Sequence, residues 1–166
     1  MLGAIIGDIA GSRFEGRRRN IHTKQFTFFH ASCHLTDDSV MTLAVAEAIL
    51  QCEGDYAKLE ARATACMQKW GRRYPSCGYG HSFKEWIFSD KPEPYNSYGN
   101  GSAMRVSPCA YAANSLEEAL QLCDAVTKIT HNHEEGMKGA RAVTTAIYLA
   151  RRGKSQAEIR AYIKDK

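Results

Sequence analysis

Thr36-Asp37-Asp38-Ser39-Val40-Met41-Thr42-Leu43-Ala44-Val45-Ala46-Glu47-Ala48-Ile49-Leu50 carries the strongest helical signal in the sequence. From Val40 onward, large apolar residues recur at intervals of three and four, the period of a helix with a buried face. The same signal returns over 2–12, 55–72, 80–89, 102–113, 116–128, 134–152 and 155–164, and no stretch alternates as a strand does. The expectation is an all-α fold, one domain over 1–166. The exception lies between Gly71 and Gly101, where Gly, Pro, Ser and Tyr accumulate around one short aromatic helix near Phe83 to Phe88. Loops of that length often line sites.

Composition narrows the classes. A chain of 166 residues with 44% apolar content can bury a core of its own. The surplus of 22 basic over 18 acidic residues is too small and scattered to argue for nucleic acid, and the Arg17-Arg18-Arg19 run reads as a solvated loop. None of the six cysteines forms a CxxC pair, which argues against a zinc ribbon and a disulfide framework. The apolar start, Met1 to Gly7, is broken by Asp8 and has no basic flank, so neither a signal peptide nor a membrane span is expected. The default location is cytoplasmic.

Four places carry candidate chemistry. In Gly7-Asp8-Ile9-Ala10-Gly11-Ser12-Arg13-Phe14-Glu15, Gly3, Gly7 and Gly11 form a stripe that implies the close approach of a backbone or ligand. Asp8 and Glu15 would share one face if the helix continued that far. Thr36-Asp37-Asp38-Ser39 serves as an N-cap with acidic charge at the positive helix end. Capping needs one carboxylate, however, and two adjacent aspartates flanked by hydroxyls also make a cluster of hard oxygen ligands suited to Mg²⁺ or Mn²⁺. Both readings stay open on these residues alone. Asn100-Gly101-Ser102-Ala103-Met104-Arg105 is a turn feeding a helix, hence either an ordinary helix start or an anion seat with Arg105 in support. In Thr130-His131-Asn132-His133-Glu134-Glu135-Gly136 the histidines are two apart and cannot face one way on a helix. One is free to meet a ligand while the other packs, and Thr130 or Asn132 is a candidate cap for the next helix.

Taken together and in this order, these segments resemble the ADP-ribosylglycohydrolase family, whose pattern runs GDxxGxxxE, TDD[ST], GNGxxMR and THxHxxG. The resemblance implies an orthogonal helical bundle around two Mg²⁺ or Mn²⁺ ions, and hydrolysis of the glycosidic bond between ADP-ribose and a modified protein or small-molecule acceptor. By position it implies Thr36, Asp37 and Asp38 as metal ligands. Glu15 would stand beside the metals as a gating or acid/base group, in a catalytic set with Asp37 and Asp38. Asn100, Gly101, Ser102 and Met104 would line the diphosphate and ribose seat, with His133 near the ligand and Tyr98 as a wall. In that chemistry metals hold ribose hydroxyls and acidify a water, and a carboxylate activates it against an oxocarbenium-like centre.

The family pattern continues to a late GGDxDT motif that completes the metal shell, and nothing after Gly153 resembles it. The resemblance therefore implies a C-terminally truncated bundle with an incomplete second metal site and an apolar patch left exposed. A fragment, a truncated frame and a remnant completed by another polypeptide or by oligomerisation are the alternatives. A catalytically inactive ADP-ribose-binding remnant is the rival to a hydrolase.

Overall fold

The computed structural model describes residues 1–15 and 24–164; Arg17-Arg18-Arg19 lies outside them. Among the described residues all regular secondary structure is helical, without a strand. The helices are α1 (Leu2–Gly11), α2 (Asp37–Leu50), α3 (Leu59–Arg73), α4 (His81–Phe88), α5 (Ser107–Ala112), α6 (Leu116–Lys128), α7 (Glu134–Arg151) and α8 (Gln156–Lys164). Single turns of 3₁₀ helix precede or link them, at Ser12–Phe14, Tyr56–Lys58 and Ala103–Arg105.

α2 is the central element. Ser39, Val40, Met41, Thr42, Ala44, Val45, Ala48 and Ile49 are all buried, so burial runs round most of the helix instead of down one stripe. The reason is its surroundings: α1, α3, α5 and the Ala103–Arg105 turn all pack on it. A fully buried side chain such as Met41 contributes roughly 1.5–3 kcal/mol. Glu47 ties α2 to α3, accepting from Trp70 Nε1 and pairing with Lys69 Nζ.

α3 and α4 touch where Gly71 faces Ile87, so closely that a Cβ at Gly71 would lie 2.7 Å from Ile87 Cδ1. α3 also satisfies the open carbonyls at the end of α4: Gln68 Nε2 donates to Trp86 O at 3.1 Å and Arg72 Nε to Ile87 O at 2.9 Å. α6 and α7 run together, joined by a two-pronged Arg141–Asp124 pair at 2.7 and 2.6 Å. Tyr148 Oη then donates to Asn114 O at 2.9 Å, holding α7 to the α5–α6 connection.

Two expectations are corrected here. The helix expected over 102–113 is split into the Ala103–Arg105 turn and α5, because Pro108, in the first turn of α5, has no N–H to bond back to the turn before it. The Gly3, Gly7 and Gly11 stripe meets nothing: a Cβ at any of the three would have no neighbour within 4 Å among the described residues. Helical spacing lines up the glycines, but no other described element lies opposite them.

α1 instead presents Leu2, 76% exposed, and Ile6, 40% exposed, and the following loop leaves Phe28 and Phe29 largely open. All six cysteines are free thiols. No helix among the described residues is long and apolar enough to cross a membrane.

Candidate functional site

The acidic corner is built by α1 holding the start of α2. Asp8 accepts from Thr36 N and Ser39 N, each at 3.2 Å, and from Thr36 Oγ1. Thr36 is the N-cap of α2, its oxygen accepting from Asp38 N at 3.4 Å. Capping therefore engages Thr36 and Asp8, and the side chains of Asp37 and Asp38, half-buried, are not needed for it. Asp37 N donates to Cys77 O at 2.8 Å, which brings the 74–80 loop over the helix start. Gly78 makes that crossing with φ +99°, a conformation few other residues adopt, at a point where a Cβ would sit 3.6 Å from Asp37 Oδ1.

Glu15 reaches the same corner by another route from the one expected. α1 stops at Gly11, the Ser12–Phe14 turn comes next, and Glu15 is extended at φ −69° and ψ 144°. The shared helical face for Asp8 and Glu15 does not form. Ser12 fixes the exit, donating to Ile9 O and accepting from His34 N, both at 2.9 Å.

Glu15, Asp37 and Asp38 line one side of a cavity of about 760 Å³. Its other walls are the 78–83 segment, the loop Tyr95 to Gly101, and Met104, Arg105 and His131. That loop is sewn to the start of α7 by Tyr95 N to Thr130 O at 3.2 Å, Asn96 N to Asn132 Oδ1 at 2.7 Å and Ser102 Oγ to Gly136 O at 3.0 Å. Gly136 permits the closeness, since a Cβ there would lie 2.7 Å from Ser97 O.

Charge in the corner is unbalanced. Burial first, and then the charges of Asp38, Glu15 and Asp8, push the Asp37 carboxyl up to about 6. Burial and Asp8 raise Asp38, and burial with Asp38 and Asp8 raises Glu15. No ion pair reaches any of these carboxylates among the described residues.

A model of the family described as ADP-ribosylglycohydrolase matches residues 1–165. The chain belongs to the ADP-ribosylglycohydrolase family. It is similar to proteins named ADP-ribosylhydrolase ARH3: 28% identical to that of Xenopus tropicalis over 92% of this chain and 49% of the relative. The Homo sapiens protein is 26% identical, over 95% of this chain and 50% of its own length. The Mus musculus protein is 31% identical with the same coverage. The chain thus spans about half the length of these curated relatives.

Within this ADP-ribosylglycohydrolase chain, the expected residues fall into two groups. Glu15, Asp37, Asp38, Tyr98, Asn100, Gly101 and Met104 line the cavity. Thr36 and Ser102 stand behind the wall, almost fully buried, as the cap of α2 and the clamp on Gly136. His133 is the N-cap of α7, its Nδ1 accepting from Glu135 N at 3.1 Å, and its ring backs Tyr98 at 5.3 Å. That corrects the capping expectation: Asn132 binds Asn96 N, and Thr130 meets Arg105. Nor does Asn100-Gly101 feed a helix, so no helix dipole points at the turn; the next element is the single turn Ala103–Arg105.

His81, at the start of α4, lines the cavity, and of the two histidines in the Thr130-His131-Asn132-His133 segment His131 lines it as well. The absence of a Cβ at Gly101 makes room for it, the ring lying 3.3 Å from where that Cβ would stand. No spacing in the sequence distinguishes it from His133. Arg105 meets no acidic neighbour among the described residues; it is fully buried and bonds Val126 O and Thr130 Oγ1.

The corner suits a divalent cation in two respects, hard oxygen donors and unmatched negative charge. Geometrically it is partial: no three His, Cys, Asp or Glu side chains among the described residues close on one point as ligands.

Proposed function

We propose that this chain carries the ADP-ribose seat and the larger acidic part of the centre of a hydrolase that cleaves the glycosidic bond between ADP-ribose and a modified acceptor. The observation that carries the reading is the meeting of Glu15, Asp37 and Asp38 with the Tyr95 to Gly101 loop on one cavity. Membership of the family, and relatives named ADP-ribosylhydrolase, support it. The volume of about 760 Å³ lies in the range of small-molecule sites and accommodates a nucleotide-sized ligand.

Asp37 and Asp38 would hold Mg²⁺ or Mn²⁺, two ions on the family pattern. On the family pattern Thr36 would join them; its Oγ1 gives its proton to Asp8 and accepts from Asp38 N. Bound there, the cation would supply a Lewis acid for ribose hydroxyls and for a water. Glu15 has its carboxyl raised by burial and its neighbours' charge, as suits a group that takes and returns a proton. The Asn100-Gly101 turn and the exposed Tyr98 ring would bound the ribose and diphosphate. Remaining positions in the cation shell fall to water and ligand oxygens.

A second reading, an ADP-ribose-binding module without turnover, is favoured by the partial ligand set alone. Thermal unfolding separates them. Mg²⁺ or Mn²⁺ with ADP-ribose should stabilise the chain jointly, by about 2.7 kcal/mol at a hundredfold excess over Kd, and Asp37→Ala should abolish the joint effect. Stabilisation by ADP-ribose that survives chelator and Asp37→Ala selects the binding module. If neither metal nor ligand shifts the melting curve, the proposal fails for this chain.

A further inference from the structure

Arg105 is the largest fully buried side chain among the described residues, and no carboxylate of theirs meets it. A guanidinium only donates. One terminal nitrogen gives hydrogen bonds to Val126 O at 2.9 Å and to Thr130 Oγ1 at 2.7 Å, while Nε has no partner among the described residues. Thr130 Oγ1 is thus an acceptor toward Arg105 and has one proton of its own to place. Two destinations are in reach: Thr127 O at 3.3 Å and His131 Nδ1 at 2.7 Å.

The first is already occupied. Thr127 O accepts from Thr130 N at 3.1 Å and from His131 N at 2.9 Å, which uses both lone pairs of that carbonyl. The second is shorter and has no competitor among the described hydrogen bonds. Donation from a cation also polarises the hydroxyl and makes it a stronger donor in turn. A proton directed at Nδ1 requires that nitrogen to carry none.

We propose that Arg105 and Thr130 are positioning residues that lock His131 in the neutral tautomer with its proton on Nε2, making the ring a fixed hydrogen-bond donor at the floor of the cavity. The ring edge faces the ligand loop: Nε2 lies 3.3 Å from the Cβ site of Gly101 and 3.9 Å from that of Gly99. Such a donor fits an acceptor oxygen of the ligand, a hydroxyl or phosphate oxygen. Burial and then the Arg105 charge hold the imidazole well below its ordinary range, at about 4, so it stays uncharged at neutral pH. The ligand side of this inference rests on the cavity being the ADP-ribose seat, while the tautomer does not.

Two-bond ¹H–¹⁵N correlation of the histidine-labelled chain, free of ligand at pH 7, reads the tautomer directly, with His131→Gln assigning the signal. The expected pattern is a protonated Nε2 and a bare Nδ1. Thr130→Val should abolish that preference and Thr130→Ser should restore it. A wild-type spectrum with the proton on Nδ1 overturns the proposal even if Thr130→Val does not fold, and so does an unchanged pattern in a folded Thr130→Val. A chain that shows the expected tautomer yet binds no ADP-ribose upholds the lock and counts only against the ligand reading.

Discussion

His131 and Asp37 respond to acid with opposite signs. The folded His131 titrates near 4, below its ordinary 6.5, so between those values the unfolded chain binds a proton that the fold refuses. Its contribution is present above pH 6.5 and is lost as pH falls toward 4, roughly 2–3 kcal/mol in all. The folded Asp37 titrates near 6, above 3.8, so there the fold holds the extra proton. Asp37 favours the fold below about pH 4 and ceases to do so as pH rises through 6, a change of about 1–2 kcal/mol after allowing for its partial exposure. In chelator, Asp37→Asn should therefore raise the melting temperature at pH 7.5 and steepen the loss toward pH 5. His131→Gln should flatten that loss. Melting curves from pH 4.5 to 8 check both slopes, and parallel profiles for all three chains would contradict the assignment. At this scale the sequence was legible for the acids, because Thr36-Asp37-Asp38 exceeds what a cap needs. The resemblance put His133 near the ligand, whereas His131 lines the cavity and His133 caps α7 behind Tyr98. The spacing of the two carries no sign of this, since it depends on Arg105 and Gly101, distant in sequence.

Glycines at element contacts allow a sharper comparison. At Gly136 a Cβ would lie 2.7 Å from Ser97 O and 3.4 Å from Tyr98 Cα, both backbone atoms that move only with the loop. Gly136→Ala should cost about 1–3 kcal/mol and weaken ADP-ribose binding, because the seat shifts with the loop. At Gly7 the same change meets open space in a helix interior and should stabilise by about 0.5–1 kcal/mol. Calorimetry on the two variants checks the signs. The helices themselves were legible: apolar spacing located α1 to α8, and α2 to within its cap. The differences came from partners and covalent detail, with Gly3, Gly7 and Gly11 facing nothing among the described residues and Pro108 dividing an otherwise continuous apolar run. Spacing reports what a helix can present, not what stands opposite.

Across the whole molecule, Asp8 is the main polar tie between α1 and the packed helices. It takes three donors from Thr36 and Ser39, and a hydrogen bond to a charged group contributes about 1.5–3 kcal/mol. Asp8→Ala should free α1 and the first turn of α2, seen as faster amide exchange there, while α6 and α7 keep their protection. Uniform loss of protection would show instead that α1 is integral to the core. The free thiols extend the comparison beyond the native state. Cys52, Cys66, Cys109 and Cys123 are buried and unlinked, so reductant does nothing to the folded chain, whereas every unfolded chain exposes thiols able to join wrongly. Reversibility is therefore a property of the buffer as much as of the fold: melting in air should trap the chain after one scan, and melting under reductant should return it.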